Sequence, residues 1–291
     1  LKKKSVNLKR VGLLANPSKS SISTILRKAF SQLQAAGCEV LSDEMTGALG
    51  RLDCRMFPNP SALARNCDLI LVFGGDGTML RAVREIQGAT TPILGVNVGR
   101  LGFLTAVTIQ KFPEALDQIW AGEFRLERRP IISAGISSAP GELTALNDFV
   151  ISRGASRMIE LEVEVNGEIL TRYRGDGLIV SSPTGSTAYS LSAGGAIVSP
   201  SAPVFAITPI CPHTLSNRSV IVGLTSRIAV RVLTERLEVT LTADGQVEKN
   251  LRFQDEVVVR QSRRYARLLH LNGSSFFDTL RRKLHWSGSN V

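Results

Sequence analysis

The spacing of apolar residues changes partway along this chain, and that change constrains the fold more than any other feature. In the first half, short and largely apolar runs at residues 11–15, 39–41, 69–73 and 93–96 read as strands. Segments of helical spacing lie between and after them, over 22–36, 61–65, 78–86 and 111–121, with Gly37 as a stop signal for the first. Strands with no polar face are buried on both sides, so this half is predicted to be a parallel sheet covered by helices. The second half alternates instead. Every second residue from Ile159 to Val165 is apolar, and Asn166-Gly167 follows directly, which is a strong hairpin signal. Further runs at Ile228–Val232, Val239–Ala243 and 256–260 predict a predominantly β half, either two layers or a curled sheet. The change falls near 122–129, and the tail at 276–286 returns to helical spacing. The expected organisation is an α/β domain over 1–123, a β-rich domain over 124–271, and a tail over 272–291 that packs back on the first domain.

A chain of 291 residues is long enough for two modest domains, and 43% hydrophobic with 21% charged residues is ordinary for a soluble enzyme. No apolar run approaches the ~18 residues of a membrane span. The basic start, from Leu1 to Arg10, lacks the apolar core and cleavage site of a signal peptide, so a cytoplasmic protein is expected. Cys38, Cys54, Cys67 and Cys211 show no C-x-x-C spacing and only three histidines accompany them, so no metal site is expected and the thiols read as reduced and mostly buried. The net charge of +10 raises nucleic acid as a partner. Half of that excess sits at Lys2, Lys3, Lys4, Lys9 and Arg10, and the clusters at 260–267 and 281–283 carry no interleaved aromatic repeat. A solvated surface and a polyanionic small substrate account for the charge equally well, and neither nucleic acid nor membrane is expected as a partner.

The sharpest local signal is Gly74-Gly75-Asp76-Gly77-Thr78, placed between an apolar strand and a helix. Such a turn aims backbone N–H groups outward at a helix N-terminus, which suits phosphate. A carboxylate there is electrostatically costly unless it has a task, which makes Asp76 the first candidate for chemistry; the alternative is a helix cap. The second signal spans 175–195, where a short apolar strand opens into Ser181-Ser182-Pro183-Thr184-Gly185-Ser186-Thr187-Ala188-Tyr189-Ser190-Leu191-Ser192. Small and hydroxyl residues permit close backbone approach and many short hydrogen bonds, and Tyr189 is an aromatic suited to a base; a hydroxyl-rich surface loop is the alternative. Asn147-Asp148 precedes another strand, and an amide beside a carboxylate suits a ribose or a base edge, although both residues also favour turns. Asp244-Gly245-Gln246 reads first as a hairpin turn, and His213 as a buried hydrogen-bonding residue. The P-loop, protein-kinase, H-E-x-x-H and G-x-S-x-G signatures are absent.

With those residues in view, the chain resembles the NAD kinases of bacterial type. The resemblance rests on residues 74–78, on Asn97-Val98-Gly99-Arg100-Leu101-Gly102-Phe103-Leu104, on Asn147-Asp148, on 176–195 and on Pro212-His213-Thr214-Leu215-Ser216, in that order along the chain. The turn at 74–78 is also shared with diacylglycerol, sphingosine and phosphofructo-kinases, whereas 176–195 is highly specific. The resemblance implies a Rossmann-like N-terminal domain, a C-terminal β-sandwich, and NAD in the cleft between them. It also implies ATP-dependent phosphorylation of the 2′-hydroxyl of the adenosine ribose to give NADP. Asp76 would be the general base. Gly75, Gly77, Asn147, Asp148, Arg174, Asp176, Thr187, Ala188, Tyr189, Ser190, Leu191, Ser192 and Gln246 would bind substrate, as would Arg81 and Arg157 at positions of variable identity. Ala106 stands where many relatives carry an acidic residue. Mg2+ or another divalent cation would arrive with ATP, and a homodimer or homotetramer is expected. A lipid kinase would need an apolar acyl pocket that 176–195 does not supply, and a pure nucleotide sensor would have no use for Asp76.

Overall fold

The apolar runs of the first half become the strands of one parallel sheet. The computed structural model describes residues 8–17, 21–99, 102–153, 158–213, 217–235 and 238–286, and the chain divides into two units, 1–128 with 266–291, and 129–265.

In the first unit, strands β1 (Arg10–Ala15), β2 (Glu39–Asp43), β3 (Arg55–Phe57), β4 (Leu69–Gly74) and β5 (Ile93–Asn97) lie in the order β5-β4-β1-β2-β3, each pair parallel. A two-residue strand β6 (Val107–Thr108) pairs with the end of β5. Every residue of β4 is buried, as its unbroken apolar character demands. Helices α1 (Ile22–Ala35), α2 (Glu44–Gly50), α3 (Pro60–Arg65), α4 (Asp76–Glu85) and α5 (Phe112–Trp120) accompany the sheet. Helix α1 buries Ile22, Leu26, Ala29 and Leu33, one stripe at helical spacing, so shortening Leu26 to Ala would cost about 2–5 kcal/mol. Phe112 of α5 meets Phe73 of β4 edge-on at 5.6 Å between ring centres. The chain builds outward from β1 through β3 and then crosses back to β4 on the other side of β1. In open α/β sheets, ligands gather beyond the C-terminal strand ends at such a reversal. Here those ends are Ala15 and Gly74, and Gly74 begins the glycine-rich turn.

The second unit is antiparallel. Its strands are β7 (Phe124–Ile136), β8 (Ala139–Ala145), β9 (Asp148–Ser152), β10 (Ile159–Val165), β11 (Glu168–Gly175), β12 (Gly177–Ser181), β13 (Val204–Ile210), β14 (Val220–Gly223), β15 (Ile228–Val232), β16 (Val239–Ala243), β17 (Val247–Leu251) and β18 (Glu256–Leu271), with a short helix α6 (Tyr189–Ser192). One sheet runs β14-β13-β12-β9-β16-β17. The other runs β11-β10-β15 and the first part of β18, with β7 and β8 alongside. Phe149, Leu178, Phe205 and Leu241 of the first sheet share one core with Leu161, Val163, Val230 and Val257 of the second, which is a β-sandwich. The β10–β11 hairpin turns on Asn166 and Gly167, both left-handed at φ 53° and 92°, as the dipeptide predicts. After β18 the chain returns to the first unit. Leu268 pairs in parallel with Ile93 of β5, and helix α7 (Phe276–Leu284) buries Leu280 there.

Four points of the sequence reading need correction or addition. Helix α2 and strand β3 occupy a stretch with no clear periodicity, and β18 runs for 16 residues where only 256–260 reads as strand. Of the cysteines only Cys67 is buried, its thiol pushed up to about 12 chiefly by that burial; Cys38 and Cys54 are half-buried and Cys211 is exposed. His213 is exposed, its backbone N–H donating to the Arg174 carbonyl at 3.0 Å. Among the described residues no helix is long and apolar enough to cross a membrane, and no group of three or more His, Cys, Asp or Glu stands ready to hold a metal ion.

Candidate active site

In the first unit, Gly75 has an extended backbone and caps α4, and its carbonyl accepts from the N–H groups of Thr78 (3.0 Å) and Met79 (3.2 Å). Asp76 is therefore the first residue of a helix, where the helix dipole favours a negative charge. It is half-buried, and its carboxylate accepts two backbone hydrogen bonds, from Phe103 N–H at 2.7 Å and Leu104 N–H at 3.0 Å. Those donors come from the loop after β5, which is folded by two buried polar side chains. Asn97 Nδ2 donates to Thr105 Oγ1 at 2.9 Å while Asn97 Oδ1 accepts from Gly99 N–H at 2.6 Å. Thr105 Oγ1 also accepts from Gly102 N–H at 3.1 Å. Gly102 is required by the close approach: a Cβ there would fall on the Asp76 carboxylate. Five residues beyond Asp76, Arg81 donates from Nη2 to the Ala15 carbonyl at 2.9 Å, tying α4 to the end of β1, and its Nε lies 3.7 Å from Glu85. A cleft of about 520 Å³ is lined by Asp43 at the end of β2, by Asn59, Ser61 and Arg65 at α3, and by Arg81 and Glu85 of α4 among others.

In the second unit, Asn147 and Asp148 are brought to the loops that the sequence singled out separately. Asp244, in the β16–β17 turn, accepts from the N–H groups of Leu146 (2.9 Å), Asn147 (2.7 Å) and Asp148 (3.3 Å). The Asn147 carbonyl accepts from Ser182 N–H at 2.8 Å, and Ser182 Oγ donates to the Leu146 carbonyl at 2.5 Å. Gly185 lies against the Asn147 backbone so closely that no side chain fits. Beyond it Thr187 and Ala188 are half-buried, while Tyr189 and Ser192 are exposed, as is Gln246 beside Asp244. Leu191 is half-buried, and Ser190 is buried, its Oγ 3.0 Å from Thr208 Oγ1, so its hydroxyl holds the loop to β13. Asp148 is 4% exposed, and its pKa is pushed up to about 7, first by burial and second by the charge of Asp244.

Arg174 and Asp176 stand elsewhere in this unit. Asp148 pairs with Ser181 at one end of β12 and Ser152 pairs with Gly177 at the other, and it is beside Gly177 that Arg174 and Asp176 lie. The length of β12 separates them from Asp148 by roughly 13–17 Å at ~3.3 Å per residue. Arg174 is exposed, its Nε 3.5 Å from Glu160, and Asp176 is exposed as well. Arg157 lies outside the described residues, as do 100–101 and 214–216 of the sequence motifs. Two parts of the constellation went unread as such: the backbone of 102–104, whose Gly-Phe-Leu run was visible only as a motif, and Asp244, visible only as a turn.

Comparison with known proteins converges on one family. Residues 11–124 match the model of the ATP-NAD kinase N-terminal domain and residues 146–271 that of the ATP-NAD kinase C-terminal domain. The NAD kinase of Desulforamulus reducens is 41% identical, over 94% of this chain and 96% of its own length, and that of Moorella thermoacetica 42% identical, over 97% and 91%. Among solved structures, yeast NADH kinase complexed with NADH superposes with a TM-score of 0.87 at 26% identity, covering 97% of this chain and 89% of that one. An NAD kinase from Archaeoglobus fulgidus in complex with ATP gives 0.75 at 28% identity, covering 96% and 100%. With both halves of the chain matched in order, and with curated relatives matched along nearly their whole length, this chain belongs to the NAD kinase family.

Proposed function

We propose that this NAD kinase transfers the γ-phosphoryl group of ATP to the 2′-hydroxyl of the adenosine ribose of NAD, with Asp76 as the base. The observation that carries this reading is the Asp76 carboxylate, fixed by two backbone donors at the start of α4, at the reversal point of the parallel sheet. Phosphoryl transfer is mostly positioning and charge neutralisation through a loose transition state. The ribose oxygen bonds to phosphorus as the bond to ADP breaks, and the hydroxyl proton passes late to a lone pair of Asp76 that its backbone donors leave free. The N–H groups at Gly75 and Gly77 and the Arg81 guanidinium offer positive potential to phosphate. The 520 Å³ cleft beside Arg81 is of a size to take the donor nucleotide. A divalent cation arriving with ATP would be held by the nucleotide and would supply further charge neutralisation there.

Dinucleotide recognition is assigned to Asn147, Asp148, Thr187, Ala188, Tyr189, Ser192 and Gln246, with Leu191 and the Ser190 hydroxyl supporting the loop from inside. Asp148, half protonated near neutral pH, has both a donor and an acceptor to offer a ribose or base edge. Arg174 and Asp176, set at the far end of β12, meet a dinucleotide held at Asp148 most readily from a second copy of the chain, which favours a homodimer or homotetramer. A cytoplasmic setting goes with ATP and NAD as substrates. The test is NADP formation from purified protein, NAD, ATP and magnesium, read by an NADP-specific dehydrogenase. Turnover that is lost in Asp76→Asn while calorimetry still detects NAD supports the reading; a nearly normal rate in that variant refutes the base assignment. Light scattering that finds only monomers under assay conditions refutes the shared site.

A further inference from the structure

We propose that the C-terminal helix α7 is a positioning element for Asp76, acting through the ring of Phe103. The inference rests on the reading of Asp76 as the base and adds a residue 200 positions away in sequence, Phe276, to what sets its geometry.

The shorter of the two hydrogen bonds to the Asp76 carboxylate comes from Phe103 N–H. Phe103 lies after β5 between Gly102, which has no side chain to pack, and the buried Leu104, and Asn97 and Thr105 secure this stretch at its foot. The half-buried ring of Phe103 supplies a further hold. That ring packs against Phe276, with centres 6.3 Å apart and planes inclined at 42°, and Lys283 Nζ lies 5.8 Å from its centre. Both partners belong to α7, at the start and near the end, so the helix spans the ring along its length. The helix is itself anchored. Leu280 is buried, and Arg125 Nη2 donates to the Ser274 carbonyl at 3.0 Å just before the helix begins. Phe277 stands edge-on to Phe276 at 5.4 Å but is 59% exposed. Sequence reading treats the tail as a packing element; the geometry makes it the outer half of a clamp whose inner half is a hydrogen bond to the catalytic carboxylate. Misplacing a reacting group by about 1 Å can cost 10²-fold in rate, so a clamp of this kind acts on kcat rather than on substrate affinity.

The experiment is steady-state kinetics on the full chain. Phe276→Ala is expected to lower kcat at least tenfold with KM for NAD within twofold of the parent, and Phe276→Leu to recover most of the loss. Phe277→Ala, on the same helix, is expected to leave kcat unchanged. Made in the Asp76→Asn background, Phe276→Ala should lower the residual rate no further, because nothing remains for the clamp to place; a merely structural role would lower both backgrounds equally. Where Phe276→Ala fails to fold, Lys283→Met tests the same contact from the exposed side, with an expected loss of about 2–5-fold in kcat. Unchanged kcat in the folded Phe276→Ala or Lys283→Met variant overturns the proposal, and so does an equal loss in the Asp76→Asn background. Near-normal turnover of Asp76→Asn by itself removes the base, and the clamp with it, and is seen before any helix variant is made.

Discussion

Asp76 stands at the start of a helix and Asp148 at the start of a strand, and the fold treats these two acidic residues in opposite ways. Asp76 is half open to solvent and accepts two backbone N–H bonds from a loop 27 and 28 residues away. Asp148 is buried, and its neighbour Asp244 takes the backbone donors of residues 146–148, so Asp148 meets a second carboxylate where Asp76 meets amides. Amide donors suit a carboxylate that must stay oriented. Burial beside a like charge instead raises a carboxyl until it carries a proton near neutral pH and has a hydrogen bond to donate. The residue type is the same, and the surroundings divide the work.

Each half of that contrast has a measurement that breaks or sharpens it. The largest effect is expected at Asp76. Asp76→Asn should cut kcat by about 10²–10⁴-fold with NAD binding retained, the usual worth of a positioned base. Next comes Asp148→Ala, which would leave a polar group of the bound dinucleotide unmatched. A raised KM for NAD is expected, corresponding to ~1–3 kcal/mol, and an unchanged KM and kcat would take Asp148 out of the site. The pH dependence of stability reads folding rather than turnover and is the more diagnostic. Folding raises the Asp148 pKa from 3.8 to about 7, so folding favours the protonated form. Its stabilising contribution is full below about pH 4 and is lost as pH rises through 7. Asp148→Asn should therefore gain on the parent between pH 5 and pH 8, by roughly 2–4 kcal/mol at most, in urea denaturation. A gap that does not widen with pH would mean that Asp148 is charged throughout. The smallest effect is expected in Asp244→Asn. Removing that charge deletes the second cause of the Asp148 shift and leaves burial, the first. Its titration, followed by carbon NMR of the carboxyl, should move down yet stay above the ordinary range. A return to the ordinary range would make the pair interaction, rather than burial, dominant.

How much of this was legible depends on the distance over which each feature is made. The turn at 74–78 is written in five consecutive residues, and the Asn166-Gly167 hairpin in two, so both could be read directly. Strand Val239–Ala243 carries its burial as strict alternation and Ile228–Val232 as a largely buried β-branched run, and both were predicted over the same residues that the structure assigns to them. Helix α2 was not legible, because Glu44-Met45-Thr46-Gly47-Ala48-Leu49-Gly50 has two glycines and no clean stripe. It forms because Asp43 accepts from Thr46 N–H at 2.9 Å and because Thr46, Gly47 and Gly50 are buried against neighbours. The far half of β18 was hidden by its arginines at 260, 263, 264 and 267. Its residues stay extended because pairing along the strand supplies their backbone partners, and Ala266 and Leu268 are buried there.

What the sequence determined by itself was the set of local pieces: an α/β half, a β half, a phosphate-type turn with a carboxylate in it, and two polar loops. Those follow from propensity, period and turn chemistry, which act over a few residues and need no partner. Which pieces meet was decided only by tertiary structure. The donors to Asp76 come from the loop after the next strand, the ring that steadies one of them is packed by a helix near the end of the chain, and the charge beside Asp148 arrives from 96 residues downstream. Hydrogen bonds and burial depend on distance in space, and a chain settles those distances only when its sheets close around their cores.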